Sequence, residues 1–506
     1  MDPIRAYAQP VRADEIPKIG RRRFVVGGVA AIAAGAASIM LDGCTTSGRR
    51  PVSTPSVTRT NARSPHAQYT IDELLSTTPF YIAHRGSRDN WPEHTMEAYE
   101  HAVSLGAKAI EVSVNATRDG VLVCHHDTDM KQTSDSPVAI ASVDWSELSK
   151  LSIDERQWLG PAARPQPIPL LKAVLDRFAR THVIFIEDKQ GTNTRALLEL
   201  MGSYQDSTSH FVWKQPATAL QYRAVAARGY KTWGYFTPDM MAQLDSLATR
   251  FDYLGAMHTA SDDDISRIVA VGKPVIVWEV HYRSMRERLS KLGVAGIMCS
   301  NLPYVCELVP VRKRDAFDTG LRAAGDLPWT VDQGTQLQPA IHEGTGILAV
   351  TQPGPQSYLM GSMAPLPRGR YTISARLRWP QTVPQTGHIG IAFGQQDDRP
   401  YRLGVPGTTS GYHAVLAADG TLALYRRAPG EASGTLLARV ATTRPSGGTW
   451  TRLSIKVERD LVEVARDDAI SWRIRSPDPS YRGRYFWLCT DSADTAPVEF
   501  SDVRVT

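Results

Sequence analysis

From about Tyr69 to Val311, short β-rich runs alternate with helix-period stretches, and this alternation constrains the fold more than any other feature of the chain. Strand candidates are Phe80–His84, Ala109–Val114, Val121–His125, Val183–Glu187, His210–Lys214, Lys231–Phe236, Tyr253–Met257, Pro274–Val280 and Gly296–Cys299. Helical periodicity separates several of them, over Thr95–Leu105, Leu170–Arg180, Ala217–Arg228 and Ser284–Lys291. Such alternation implies a parallel sheet, and at this length the usual closed form is a (β/α)8 TIM barrel. There is one strand candidate too many, so one is miscast or lies outside the barrel.

From about Phe317 helical periodicity nearly vanishes. Alternating strands follow at Tyr371–Arg378, His388–Phe393, Gly411–Leu416, Thr421–Tyr425, Thr451–Glu458, Leu461–Arg466, Tyr485–Cys489 and Val498–Val505. Turn signals such as Asp419-Gly420 separate some of them, which predicts an all-β sandwich. The strand order, with Trp450 ahead of Arg452–Val457 and a closing Phe500–Val503, loosely resembles a concanavalin-type jelly roll. That resemblance implies a carbohydrate-binding module with exposed Trp and Tyr, whereas the same aromatics would equally well fill a core.

The N-terminus reads as an export segment. Gly20-Arg21-Arg22-Arg23-Phe24-Val25-Val26 is a twin-arginine-type signal, and the small-residue apolar stretch Val25–Met40 is too short for a comfortable membrane span. Leu41-Asp42-Gly43-Cys44 resembles a lipoprotein processing box with Cys44 as the lipidated residue, although Asp42 is an unusual occupant. The expected organisation is a signal over 1–44, a disordered Ser/Thr/Pro-rich linker over 45–67, a barrel over 68–312 and a sandwich over 317–506. Such a protein would be exported and either lipid-anchored on the outer face of the cytoplasmic membrane or secreted.

A formal charge of +5 with no basic tract beyond the signal argues against nucleic-acid binding. Besides Cys44 the chain has Cys124, Cys299, Cys306 and Cys489, which is neither a disulfide framework nor a zinc pattern. Cys299 and Cys306 are close enough in sequence to bridge in an oxidising compartment.

The chemistry concentrates in one stretch: His84-Arg85-Gly86, Pro92-Glu93-His94-Thr95, Glu111, Asp119-Gly120 and His126-Asp127. His84, Glu111, His126 and Glu187 are expected near C-terminal strand ends, the face of a barrel that carries active sites. Two histidines suit proton transfer near neutral pH. Arg85 offers a planar fork to phosphate oxygens, and Glu111 and Glu187 offer hard oxygen ligands. A phosphodiester needs each of these, because a nucleophile must approach an anion and a poor alkoxide must leave.

These motifs, with Gly106-Ala107, Glu187-Asp188-Lys189, Val277-Trp278 and Gly293–Ile297, resemble the glycerophosphodiester phosphodiesterase family over Ile82 to Pro303. The resemblance implies His84 and His126 as the catalytic pair, and Arg85, Lys189 and Trp278 as substrate-binding residues. It also implies Glu111 and Glu187 as ligands of a divalent metal, Ca²⁺ or Mg²⁺. The family commonly has Asn where His94 stands, and usually has Glu-x-Asp where this chain has Glu111-Val112-Ser113. A hydroxyl at Ser113 costs one anionic ligand. Three outcomes follow: a water or Glu93, Asp119 or Glu279 takes its place, metal affinity falls, or the site is inactive. His125 should face away from His126, and strand alternation allows only one of Trp278 and Glu279 to face the pocket, Trp278 being favoured.

The expected function is an exported, metal-dependent hydrolysis of glycerophosphodiesters, or of glycerophosphate units of a wall polymer, to glycerol phosphate and an alcohol. One alternative is a phospholipase-D-like enzyme acting on intact lipid. The other is a non-catalytic wall- or lipid-binding protein with a degraded metal site.

Overall fold

The computed structural model describes residues 69–331, 340–342, 344–407, 409–468, 470–492 and 497–506. The signal, Cys44 and the linker lie outside the described residues. The described residues from Tyr69 onward fall in one compact unit. Among them, no helix is long and apolar enough to cross a membrane.

Eight parallel strands close a barrel: β1 (Phe80–Ala83), β2 (Ala109–Ala116), β6 (Val183–Asp188), β7 (Phe211–Pro216), β8 (Lys231–Phe236), β9 (Tyr253–Met257), β10 (Val275–Val280) and β11 (Gly296–Cys299). Closure comes from β1 pairing with β11 on one side and with β2 on the other. The surplus strand is β3 (Leu122–Cys124), which pairs antiparallel with β2 outside the barrel. A small ribbon, β4 (Ser152–Ile153) with β5 (Gln166–Pro167), completes this half.

The lower barrel is filled by Phe80, Ile82, Val183, Phe185, Val212, Trp233, Tyr253, Ile276 and Met298, with Ile71 and Leu74 of the helix Ile71–Leu75 packed into the same cluster. Water is thereby excluded from the barrel interior below the polar mouth. Helices form where the 3.6-residue period appears. Thr95 caps Met96–Ser104 by accepting the Ala98 N–H at 3.1 Å, and Leu171–Phe178 buries Leu171, Val174, Leu175 and Phe178. The expected helix Ala217–Arg228 shortens to Tyr222–Ala226.

Beyond the barrel stand two seven-stranded antiparallel sheets. One contains β12 (Asp326–Pro328), β15 (Gly354–Met360), β24 (Tyr485–Ser492), β17 (His388–Gln395), β18 (Gly411–Ala417), β19 (Thr421–Arg427) and β20 (Thr435–Ala441), in that spatial order. The other contains β13 (Ala340–His342), β14 (Ile347–Val350), β25 (Val498–Val505), β16 (Tyr371–Arg378), β21 (Thr451–Val457), β22 (Val462–Asp467) and β23 (Ser471–Ser476).

Apart from its edge strand β20, the first sheet is buried on both faces. Tyr358, Met360, Ile391, Phe393, Ala414, Leu416, Phe486 and Leu488 share a core with the second sheet. The intervening residues Leu359, Ala392, Val415, Trp487 and Cys489 instead join the apolar cluster that surrounds the barrel strands. Strand alternation makes the two sets face opposite ways. Trp379, Trp487, Tyr358, Tyr401 and Tyr412 are buried, while Trp329, Trp450 and Trp472 lie against the guanidinium groups of Arg402, Arg378 and Arg466. None of the exposed large apolar side chains among the described residues is aromatic. Cys124, Cys299, Cys306 and Cys489 are free thiols, and Cys299 and Cys306 do not bridge.

Candidate active site

The mouth of the barrel is built from the ends of β1, β2, β6, β7, β8 and β10. His84 follows β1 directly and opens a tight turn, His84–Gly86, in which Arg85 and Gly86 both have positive φ. Gly86 is required for space as well, since a Cβ there would sit 2.6 Å from the Ala98 Cβ. The turn aims the Arg85 backbone N–H at Glu111 Oε2, 3.1 Å away.

His84 is buried, with Nδ1 2.8 Å from Ser300 Oγ. Ser300 donates onward to Glu279 Oε2 at 3.2 Å, so His84 Nδ1 carries the proton and donates to the serine. That leaves the Nε2 lone pair of His84 without a protein partner. Burial, helped by Arg85, Lys214 and Arg88, holds the imidazole well below its ordinary pKa, so it is neutral near pH 7.

His126 arrives by a different route from the one expected. It does not end a barrel strand; the hairpin of β2 and β3 folds the chain back over the mouth. Asn115 Nδ2 pins this return by donating to the carbonyls of His125 and Asp127 at 2.8 and 3.0 Å. His126 Nδ1 lies 2.7 Å from Asp127 Oδ1, and its Nε2 lies 3.1 Å from Lys189 Nζ. The carboxylate accepts the Nδ1–H hydrogen bond and the ammonium donates to Nε2, which fixes the tautomer. Burial, then Arg85 and Lys189, lowers the pKa of this ring also. His125 is engaged elsewhere, with Asp127 O and Thr133 Oγ1, both at 2.8 Å.

The two glutamates expected to hold a metal instead share a lysine. Lys214 Nζ is 3.0 Å from Glu111 Oε1 and 2.8 Å from Glu187 Oε2, and all three side chains are buried. Ser113 Oγ donates to Glu111 Oε1 at 3.2 Å. Tyr235 OH donates to Glu187 Oε1 at 2.9 Å, and Lys189 Nζ lies 3.4 Å from the same oxygen. Burial alone would raise the Glu111 pKa, but the Lys214 ammonium, with His94 and Arg85, brings it down to about 2. Burial likewise opposes the charge on Lys214, and the two carboxylates outweigh it and raise its pKa. Removing the lysine would strand two buried carboxylates, a penalty of about 3–5 kcal/mol.

Among the described residues no group of three or more His, Cys, Asp or Glu is arranged to hold a metal ion. Three of the four oxygens of Glu111 and Glu187 accept N–H or O–H hydrogen bonds. The fourth, Glu187 Oε2, meets Lys214 Nζ as an ion pair without a hydrogen bond, and this cation fills the space between the carboxylates. This donor set does not fit a divalent metal. Nor do the expected substitutes for the missing aspartate reach it. Glu93 binds Arg85 Nη1 at 2.9 Å and Arg88 Nε at 3.2 Å, and Asp119 accepts from Thr117 and the Trp145 N–H. Glu279 faces Arg88 Nη1 at 3.3 Å and Ser300.

The guanidinium of Arg85 is therefore turned to Glu93, and Lys189 and Lys214 are the ammonium groups beside the two histidines. Trp278 borders the mouth, 5.0 Å from the Tyr235 ring and 5.9 Å from Lys214 Nζ. Glu279 also reaches the site. The register shift between Val277 and Val280 breaks the alternation that would have turned one of the two away. Lys214, Tyr235, Asn115, Arg88 and Ser300 were not singled out by sequence. Each is an isolated polar residue without a motif, and only strand register or chain return brings it here.

Residues 84–302 match the model of the glycerophosphoryl diester phosphodiesterase family. The Bacillus subtilis protein YhdW, named as a glycerophosphodiester phosphodiesterase, is 28% identical over 236 residues, spanning 43% of this chain and 93% of YhdW. A Mycobacterium tuberculosis protein with the same enzyme name is 41% identical over 80 residues, 16% of this chain and 29% of that protein. The chain thus spans nearly all of the first relative and under a third of the second. An Oleispira antarctica phosphodiesterase, solved with the product sn-glycerol-3-phosphate, aligns with a TM-score of 0.40 at 18% identity, covering 46% of this chain and 98% of that one.

Proposed function

Residues 84–302 belong to the glycerophosphoryl diester phosphodiesterase family, and from that premise we propose that the chain hydrolyses glycerophosphodiesters to glycerol phosphate and an alcohol. The observation that carries this reading is the pair of neutral imidazoles, each with its tautomer set by a neighbour, together with two ammonium groups, the buried Lys214 and the half-buried Lys189 that lies 3.1 Å from His126 Nε2. His84 Nε2, with a free lone pair, takes a proton from water as its oxygen bonds to phosphorus. The bond from phosphorus to the leaving oxygen breaks, and the Lys189–His126 pair supplies the proton which that oxygen needs. Lys189 and Lys214 offset the anionic charge that builds on phosphorus. Trp278 forms an apolar wall at the mouth. No step is routed through a metal, because the carboxylates expected to bind one are held by Lys214.

The sequence features Gly20–Val26 and Leu41–Cys44 support an exported, lipid-anchored enzyme, for which wall-polymer glycerophosphate is accessible. The test is release of glycerol phosphate from glycerophosphocholine and glycerophosphoglycerol. His84→Ala and His126→Ala should each lower kcat by about 10²–10⁴-fold while the protein stays folded. Release from neither diester, or an unimpaired His84→Ala, would overturn the reading.

A further inference from the structure

The departure at Ser113 is coupled to a second residue that no motif marks. In the barrel, Ser113 on β2 is the register partner of Glu187 on β6, and Glu187 is the register partner of Lys214 on β7. The three residues form one row across adjacent strands, and Glu111, two residues before Ser113, points to the same side. The row places a short neutral side chain, a carboxylate and an ammonium together. Lys214 Nζ and Ser113 Oγ meet on the same oxygen of Glu111, at 3.0 and 3.2 Å. An aspartate at 113 would add a third carboxylate at this point, a hard oxygen ligand of the kind that favours a divalent ion. The serine leaves a site whose negative charge one lysine, with Lys189 alongside, can satisfy.

Resting on the phosphodiesterase reading above, we propose that Lys214 is a built-in substitute for the divalent cation, so that this barrel binds and hydrolyses its phosphodiester without a metal. The ammonium occupies the position between Glu111 and Glu187 from which a metal would act. The Trp233 and Trp278 rings stand 5.6 and 5.9 Å from Nζ and limit access of water to it. A divalent ion brought to the same oxygens would have to displace the ammonium or sit within a few ångströms of it, and like charges at that range repel strongly in a buried site. The charge that neutralises phosphate is thus covalently part of the chain and independent of metal supply.

The test uses the full protein, dialysed against EDTA and then metal-free buffer, in two arms. In the first, Ca²⁺ and Mg²⁺ are titrated calorimetrically. The wild type should show no stoichiometric binding tighter than about 1 mM, the weak end of protein calcium sites. The double variant Ser113→Asp/Lys214→Ala, which trades the ammonium for a third carboxylate, should bind Ca²⁺ at least tenfold more tightly. In the second arm, hydrolysis of glycerophosphocholine by the wild type should be unchanged by EDTA.

Stoichiometric binding in the wild type that disappears in Glu187→Gln would overturn the proposal. A rate that falls tenfold in EDTA and returns with metal would do the same. If no diester is hydrolysed under any condition, the reaction assignment fails, while the binding arm on the wild type still decides whether Lys214 stands in for the ion.

Discussion

At the scale of single residues, the ordered motifs and the site coincide only in part. His84, His126, Glu111, Glu187, Lys189 and Trp278 all reach the barrel mouth. His84, Glu187 and Lys189 lie at or just beyond the ends of β1 and β6, the face on which a barrel gathers such positions, whereas Glu111 lies within β2 and His126 comes in on the hairpin return. Lys214 was missed for a plain reason. In Phe211-Val212-Trp213-Lys214-Gln215 a lone lysine reads as a solvent-facing residue of an alternating strand, whereas β7 is internal and the lysine points at two carboxylates. Tyr235 was hidden in the same way.

Behind the mouth, His281 Nδ1 lies 2.6 Å from Asp89 Oδ2, with both residues buried. Burial alone would lower the histidine's pKa, but the Asp89 charge and hydrogen bond outweigh it and raise it. The folded protein therefore holds a proton above about pH 6.5 that the unfolded chain releases. This contribution to stability is complete below that pH and fades as pH rises through the folded-state value. Melting curves at pH 6, 7 and 8 should show a fall in Tm for the wild type and a flatter profile for His281→Gln. Parallel profiles would remove His281 as the cause.

At the scale of elements, strands with clean alternation were legible to the residue. β16 occupies Tyr371–Arg378, and its residues are buried at every second position. Strands without that signal were not legible. β20, over Thr435–Ala441, is an edge strand whose residues are exposed or half-exposed on both faces, so no burial pattern betrays it. β3 carried a strand signal, but its antiparallel placement depends on a hairpin return that composition does not encode.

The helix Arg283–Lys291 illustrates a different limit, since no residue before it supplies a side-chain cap. The cap comes from Asp398, after β17. Its carboxylate accepts the N–H groups of Arg283 and Ser284, both at 2.8 Å, and the Tyr304 hydroxyl at 2.7 Å. Removing an N-terminal carboxylate acceptor that also leaves a buried hydroxyl unpaired costs about 1–3 kcal/mol. Asp398→Ala should lower the denaturant midpoint accordingly, although the residue lies outside the barrel. An unchanged midpoint would show that the cap is replaceable by water.

At the scale of the whole molecule, the barrel and the two sheets are joined by more than a tether. Arg322, between them in sequence, stacks 4.0 Å over the Trp158 ring and donates to the carbonyls of Trp158, Asp89 and Asp326. Arg283 donates to Ala364 O, and Tyr282 to Pro328 O. With Leu359, Ala392, Val415 and Trp487 packed toward the barrel, a chain ending near Arg314 would expose that apolar surface to water. Truncation there should give a protein that scatters light or melts well below the full chain, with reduced activity on small soluble diesters. A soluble truncated barrel with unchanged Tm and kcat would refute this coupling.

The 3.6- and 2-residue periods of the sequence by themselves determined that a parallel α/β barrel precedes antiparallel sheets, because periodicity is a local property of the chain. The order of the His, Arg and Glu motifs likewise determined which strand ends form the mouth. Only the tertiary structure decided that Lys214 lies between Glu111 and Glu187 opposite Ser113, and that one sheet, its edge strand apart, buries both faces. Each depends on register or packing between segments far apart in sequence, where the free energy resides in pairs of residues that no local pattern couples.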